Sequence, residues 1–143
     1  MPYCARCLAE EDTKIHIEAA NPSNNITKAE ARDLVQHVAY VLRNEYKIGS
    51  SGPGKDVVLT ISSGNPFIPV FFYSIVAAGG VFSGASTSYR VAELSHQIKD
   101  ANASLLVCTP EFIDATVAAA KHCGISPDRV LLLDSKTPRN WYV

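Results

Sequence analysis

The sequence predicts an α/β protein of three layers, with a mainly parallel sheet built from consecutive βα units. Three observations predict it. Short apolar, often β-branched runs recur along the chain: VVLTIS (57–62), VFS (81–83), SLLVCT (104–109) and RVLLLD (129–134). Segments of helical length, with apolar residues at helical spacing, lie between them. Gly, Pro and Asn punctuate the junctions, and strands separated by helices imply parallel pairing through right-handed crossovers.

The chain has 143 residues, 47% of them hydrophobic and 19% charged, which is the size and composition of one globular domain. A net charge of -1 gives nucleic acid or an anionic membrane no electrostatic hold. We divide the chain into an N-terminal segment (1–24), an α/β unit (25–135) and a tail (136–143).

Residues 1–24 show no clear period, and NPSNN (21–25) reads as a loop. A helix then starts at a capping box, Thr27 with Glu30. Ala31, Leu34, Val35, Val38, Val41 and Leu42 form its apolar stripe, and Gly49 suits its stop. The buried strand Val57 to Ser62 follows. Asn65 caps the next helix, Pro66 suits its first turn, and it runs to Ala78, where Gly79-Gly80 ends it. Val81 to Ser83 is a second strand, and Ser86 to Tyr89 a polar loop. RVAELSHQIKDAN places Val91, Leu94, Ile98 and Ala101 on one helical face. Ser104 to Thr109 is a third strand. Thr109-Pro110 opens a helix that Gly124 stops, and Arg129 to Asp134 is the fourth strand.

No charged residue occurs between Asp56 and Arg90. The most apolar part, PFIPVFFYSIVAAGGVF (66–82), falls short of the ~20 residues of a membrane span and is broken by Pro69 and Gly79-Gly80. It reads as a buried helix, and no transmembrane span is expected. MPYCARCLAEEDTK lacks a signal-peptide apolar core and NWYV carries no targeting signal, so the expected location is the cytoplasm.

Few residues suggest chemistry. GSSGPGKD (49–56) places Gly49, Gly54 and Lys55 in the register of the phosphate-binding pattern G-x-x-x-x-G-K-[ST], but Asp56 stands where a hydroxyl should be. It also runs from a helix into a strand, the reverse of a phosphate loop, so no helix N-terminus faces it. A surface turn is the expected role. Ser62 to Asn65 has the strand-to-helix context of a weak anion nest, yet lacks a nearby cation and a G-x-G-x-x-G pattern; a structural turn is expected there too. Cys4 and Cys7 form C-x-x-C without a second pair at zinc spacing; with Cys108 and Cys123 they read as reduced thiols. His16, His37, His96 and His122 are scattered, with His96 and His122 expected to face solvent. Asp134 ends a strand without the acidic pair a phosphoacceptor site needs. Ser62, Ser63 and Ser83 have no evident base, and G-x-S-x-G is absent. We assign no catalytic, cofactor-binding or metal-binding residue.

The order of segments carries a resemblance. ITKAEARDLVQHVAYVLRNEYKIGSSGPGKDVV is similar to "ITYAEL…VARLAAGL…GVKKGDVV". ISSGNPFIPVFFYSIVAAGGVFSGAS resembles "LPNSPEFVVAFLGALKAGAVVVPAN", and SYRVAELSHQIKDANASLLVCTPE resembles "YTPEELAHQLRDSGAKLLVTTPE". Residues 26 to about 135 thus resemble the first part of the adenylate-forming acyl/aryl-CoA ligases, of the 4-coumarate–CoA ligase and luciferase type. The resemblance implies a Rossmann- or flavodoxin-like N-terminal subdomain. It also implies, for a complete enzyme, ATP-dependent and Mg-dependent adenylation of a carboxylic acid, then thioester formation with CoA. The family's S-S-G-T-T-G-x-P-K-G loop, its Y-G-x-T-E segment, its ribose-binding aspartate region and its C-terminal domain with a catalytic lysine do not occur. No family residue is carried over, and the chain alone is expected to bind none of these cofactors and to be inactive. An excised piece, a truncated gene product and half of a split protein all fit. Two other readings stay open: a non-catalytic interaction or dimerisation module on the ligase scaffold, and a small flavodoxin-like binding protein. The latter would hold its ligand near Ser62–Asn65, Ser83–Thr87 and Thr109.

The helix at 66–78 bears on these readings. Phe67, Ile68, Val70, Phe71, Phe72, Tyr73, Ile75 and Val76 surround it, and a helix apolar all round is buried all round. A sheet covers one side only. The other side is expected to meet the missing ligase subdomains, a second copy or a partner protein, and an isolated chain is expected to be sticky.

Overall fold

The computed structural model describes residues 10–134. In chain order the elements are β1 (Lys14–Ile17), β2 (Asn25–Thr27), α1 (Lys28–Asn44), β3 (Val57–Ile61), α2 (Ile68–Ala78), β4 (Val81–Ala85), α3 (Val91–Asp100), β5 (Ala103–Cys108), α4 (Ile113–Cys123) and β6 (Val130–Leu132). The strands β3 to β6 form one parallel sheet in the order β4-β3-β5-β6.

Strand alternation sends side chains to two cores. Val58, Leu105, Val107 and Leu131 pack with α1 and α2 on one face. Leu59, Ile61, Leu106, Cys108 and Val130 pack with α3 and α4 on the other. The result is the three-layer α/β architecture read from the sequence. None of the helices among the described residues is long and apolar enough to cross a membrane.

The N-terminal segment holds a feature that the sequence pattern missed. β1 pairs antiparallel with β2, matching Lys14 with Thr27 and Ile17 with Asn25. KIHI alternates, but Ile15 and Ile17 are both exposed, so no buried face marks it as a strand. Glu11 ties the segment to α1 through Lys28 (3.1 Å) and Arg32 (2.9 Å).

At α1 the expected capping box is present. The Glu30 N–H donates to Thr27 Oγ1 (3.3 Å), and the Thr27 N–H donates to Glu30 Oε2 (2.8 Å). The helix stops earlier than Gly49, at Asn44 with Glu45 as its cap. Lys47 turns the chain with a φ of 61°. Gly49 does a different job, in the turn beyond: its α-carbon faces the C-terminal end of α2.

In α2, Asn65 Oδ1 accepts from the Phe67 N–H (2.9 Å), fixing the entry turn. Val70, Phe71, Ser74, Ile75 and Ala78 are buried. The buried Ser74 hydroxyl donates to the Val70 carbonyl (2.8 Å) and so costs little. The outward side stays open: Phe72 is 40% exposed, Tyr73 59% and Val76 53%. The chain's own described elements therefore cover one side of α2 and leave the second bare.

Candidate functional site

From β3 the chain crosses by α2 to β4 on one side, then returns by α3 to β5 on the other side of β3. The order reverses between β3 and β5. In open parallel sheets a ligand sits at the carboxyl ends of the strands beside such a reversal. The loops there are Ser62 to Phe67, after β3, and Thr109 to Phe112, after β5.

These loops bind each other. The Ser63 hydroxyl donates to Glu111 Oε1 (2.5 Å), and the Thr109 hydroxyl donates to the same oxygen (2.7 Å). The Thr109 N–H donates to the Ile61 carbonyl (3.2 Å). Partial burial pulls Glu111 toward its neutral form, but the Ser63 and Thr109 hydrogen bonds outweigh it and hold the carboxyl below its ordinary range. An ionised carboxylate thus stands at the mouth of the crevice.

The rest of the nest is also engaged. The Gly64 N–H donates to Ser62 Oγ (3.2 Å), and the Phe67 N–H is taken by Asn65. A phosphate entering here would meet a negative charge and two N–H groups already in use. Ser62 to Asn65 is a turn held by its own side chains. A nucleotide's phosphates do not fit these residues.

GSSGPGKD is a turn between α1 and β3, at the amino end of the sheet. Asp56 Oδ2 accepts from the Gly49 N–H (2.7 Å), which closes the loop, and the Gly54 N–H donates to the Gly79 carbonyl (2.9 Å). Lys55 is exposed. A hydroxyl at position 56 would bind magnesium in a phosphate loop; here a carboxylate staples the backbone instead.

The remaining candidates stay apart. His37 lies on α1, His96 on α3 and His122 on α4, all exposed, and His16 on β1 is half-buried. Cys108 is buried at the end of β5, where burial pushes its thiol upward against a hydrogen bond with Thr116; Cys123 is half-buried, and both are free thiols. Ser83 bonds to Gln97, with no base nearby among its hydrogen bonds. Cys4 and Cys7 lie outside the described residues. The described residues hold no group of three or more His, Cys, Asp or Glu side chains able to bind a metal.

Glu111 escaped the sequence reading. An acid in the first turn after T-P reads as a helix-dipole residue. Its partner Ser63 is 48 residues away, and no periodicity links them. The only available signal was the placement of both loops at the carboxyl ends of adjacent strands.

Comparison with known proteins agrees with the architecture. A family model described as "AMP-binding enzyme" matches residues 6–141. A protein of Emericella nidulans named "Putative acyl-coenzyme A synthetase" is 44% identical over 128 residues, covering 90% of this chain and 23% of that protein. A phenylacetyl-CoA ligase of Aspergillus niger is 30% identical, over 85% of this chain and 22% of its own length. The crystal structure of ATP-bound MatB from Rhodopseudomonas palustris superposes with a TM-score of 0.66 at 28% identity, over 90% of this chain and 24% of that one. A benzoate CoA ligase from Burkholderia xenovorans LB400 shares the fold, with a TM-score of 0.73 at 16% identity, again over 90% of this chain and 24% of that one. The chain spans less than a quarter of the length of these relatives.

Proposed function

We propose, from the premise that this chain belongs to the AMP-binding enzyme family, that it is the N-terminal α/β layer of an acyl- or aryl-CoA ligase and is not catalytic by itself. In the complete enzyme a carboxylic acid and ATP give an acyl-adenylate and pyrophosphate. The CoA thiol then displaces AMP to form the thioester. ATP, magnesium and CoA belong to that whole, and we assign none of them to residues of this chain.

One observation carries the reading. The crevice between β3 and β5, where a free-standing nucleotide-binding domain would take its ligand, is bridged by Ser63, Thr109 and the ionised Glu111. The same bridge speaks against a small flavodoxin-like binding protein. The chain's contribution is structural: a sheet and two helix layers on which the rest of a ligase is assembled. The proposal places it in the cytoplasm, which cell fractionation tests.

The test has two arms. The purified chain is expected to show no ATP–pyrophosphate exchange and no calorimetric heat of ATP binding; exchange by the pure chain overturns the proposal. A chimera joining this chain to the rest of the Emericella nidulans relative is expected to form a thioester from ATP, CoA and a carboxylic acid. The exposed side of α2 favours a second reading, an interaction module that pairs with intact ligases. Stoichiometric co-purification with an intact ligase, and an inactive chimera, would favour it.

A further inference from the structure

Strand β4 ends the sheet, and its sequence VFSGA is complementary to itself when reversed. We infer that two copies of this chain pair antiparallel through β4, about a two-fold axis at Ser83, and so join their sheets into one. The inference concerns the chain as it stands and does not depend on the ligase reading.

Backbone groups set the register. Among the described residues β3 is the only neighbour of β4. The Val81 N–H points inward, to the Asp56 carbonyl (2.8 Å). Alternation along the strand then turns the N–H and C=O groups of Phe82 and Gly84 to the free edge. Natural edge strands are guarded by a charge, a proline or a bulge. β4 has none of these: it pairs with β3 without a register shift, and Gly84 is exposed. In an antiparallel pair centred on Ser83, Phe82 of each copy exchanges both backbone hydrogen bonds with Gly84 of the other. Every outward group is then satisfied by an identical strand, as a closed two-fold interface requires.

Side chains fit the same register. VFSGA is bulky at its start and small at its end. Reversal sets Val81 against Ala85, Phe82 against Gly84 and Ser83 against Ser83, so each large residue faces a small one. An aromatic ring across from an edge glycine stabilises a sheet. Above Gly84 a Cβ would meet only Phe82 Cε1, at 3.5 Å. A shift of two residues either way puts Phe82 against Phe82 or Gly84 against Gly84, and leaves outward groups unpaired. The bare side of α2 lies on the same flank. Phe82 meets Phe72 edge-to-face, at 5.4 Å between ring centroids, and Phe72 meets Tyr73 at 5.2 Å. The axis therefore brings this apolar stripe toward its copy. A two-fold axis also sets charges near it against their like, and no charge occurs from residue 57 to residue 89.

A buried oxygen points to the same partner. Gln97 of α3 donates through Nε2 to the outward Gly84 carbonyl (3.1 Å) and to Ser83 Oγ (3.2 Å). This leaves Gln97 Oε1 buried without a partner. In the pair, Ser83 of the second copy arrives directly opposite the first, with a hydroxyl proton to donate to that oxygen.

Cross-linking at the axis tests this. Residues that face each other in a non-hydrogen-bonded antiparallel pair have α-carbons about 4.5 Å apart, within disulfide reach, whereas diagonal positions lie at about 7–8 Å. In a chain carrying Cys4→Ser, Cys7→Ser and Cys123→Ser, Ser83→Cys is expected to give a disulfide-linked dimer under oxidised glutathione, and Gly84→Cys about tenfold less. Without any substitution, sedimentation equilibrium is expected to show a monomer–dimer equilibrium. Hydrogen exchange at the Phe82 and Gly84 amides should slow as concentration rises, while Ser83 stays protected by β3 throughout. Gly84→Pro removes an outward N–H and spares the ladder to β3, so it is expected to abolish the dimer and leave the circular dichroism unchanged. A chain that stays monomeric up to its solubility limit overturns the inference. So does a dimer that cross-links equally at positions 83 and 84, or whose Phe82 and Gly84 amides exchange freely, since either places the interface elsewhere. Protection of those amides that does not vary with concentration would assign the edge to the chain's own residues and overturn it too.

Discussion

Gly49 meets the carbonyl of Ala78 so closely that a Cβ at position 49 would lie 2.1 Å from the oxygen. Arg43 reaches the same carbonyl with its guanidinium (3.1 Å). The α1–β3 turn is therefore seated on the C-terminal end of α2. Gly49 also has a φ of 76°, a conformation that a Cβ penalises. Gly49→Ala is expected to destabilise the chain by about 3 kcal/mol, the left-handed penalty plus a backbone clash. Gly54→Ala separates the two terms. Gly54 has a φ of 73° but nothing within 4 Å of a Cβ, so about 1 kcal/mol is expected. Urea unfolding of the three proteins checks both values; equal losses would show that the close approach to Ala78 is not felt.

Glu111→Gln tests the bridge across the crevice. Its hydrogen bonds with Ser63 and Thr109 hold the wild-type carboxyl below its unfolded value. The stabilisation is thus fully present above the unfolded pKa of about 4.3 and is lost as pH falls through the lower folded value. Glu111 is exposed, so the expected loss on substitution at pH 7 is modest, about 0.5–1 kcal/mol. Wild type and variant should converge on acidification. A gap that persists unchanged at pH 3 would mean that the charge plays no part.

Thr27→Ala removes the hydroxyl that accepts from the Glu30 N–H at the start of α1. The expected cost is about 1 kcal/mol, with reduced helicity by circular dichroism. Thr27→Ser keeps the oxygen and should stay close to wild type. Equal losses for alanine and serine would assign the effect to the threonine methyl rather than to the cap.

Tyr73→Lys combined with Val76→Lys places charge on the bare side of α2. Both residues are more than half exposed, so stability should change by about 0.5 kcal/mol or less. Binding of a hydrophobic dye and association by light scattering should both fall. A wild-type chain that is monomeric and binds no dye would remove the basis for this expectation.

The layered fold was legible because its strands are buried. VVLTI and ASLLVC are apolar on both faces, and flanking turns mark their ends. The capping box of Thr27 and Glu30, and Gly124 as the stop of α4, are local signals read within one helical turn. β1 was not legible, since its isoleucines face solvent and its pairing partner follows a loop. Nor was the early end of α1, because Lys47 takes the left-handed position that a glycine usually marks, with the Ile48 N–H closing back on the Leu42 carbonyl. The apolar wrap of α2 was visible, but not which side stays open: that depends on α1, which covers one side and leaves Phe72, Tyr73 and Val76 out. The bridge from Ser63 to Glu111 joins two loops that only the sheet order brings together.

The sheet order also sets a schedule for synthesis. β5 sits between β3 and β6 in space but follows β4 in the chain. A ribosome therefore releases β3, the Phe-rich helix and β4 before the strand that completes the middle of the sheet exists. Until residue 108 has emerged, β3 has an open flank and α2 rests on an unfinished floor. The nascent chain passes through an interval in which its most water-averse stretch has the least shelter, and chaperone capture or aggregation during translation should concentrate there.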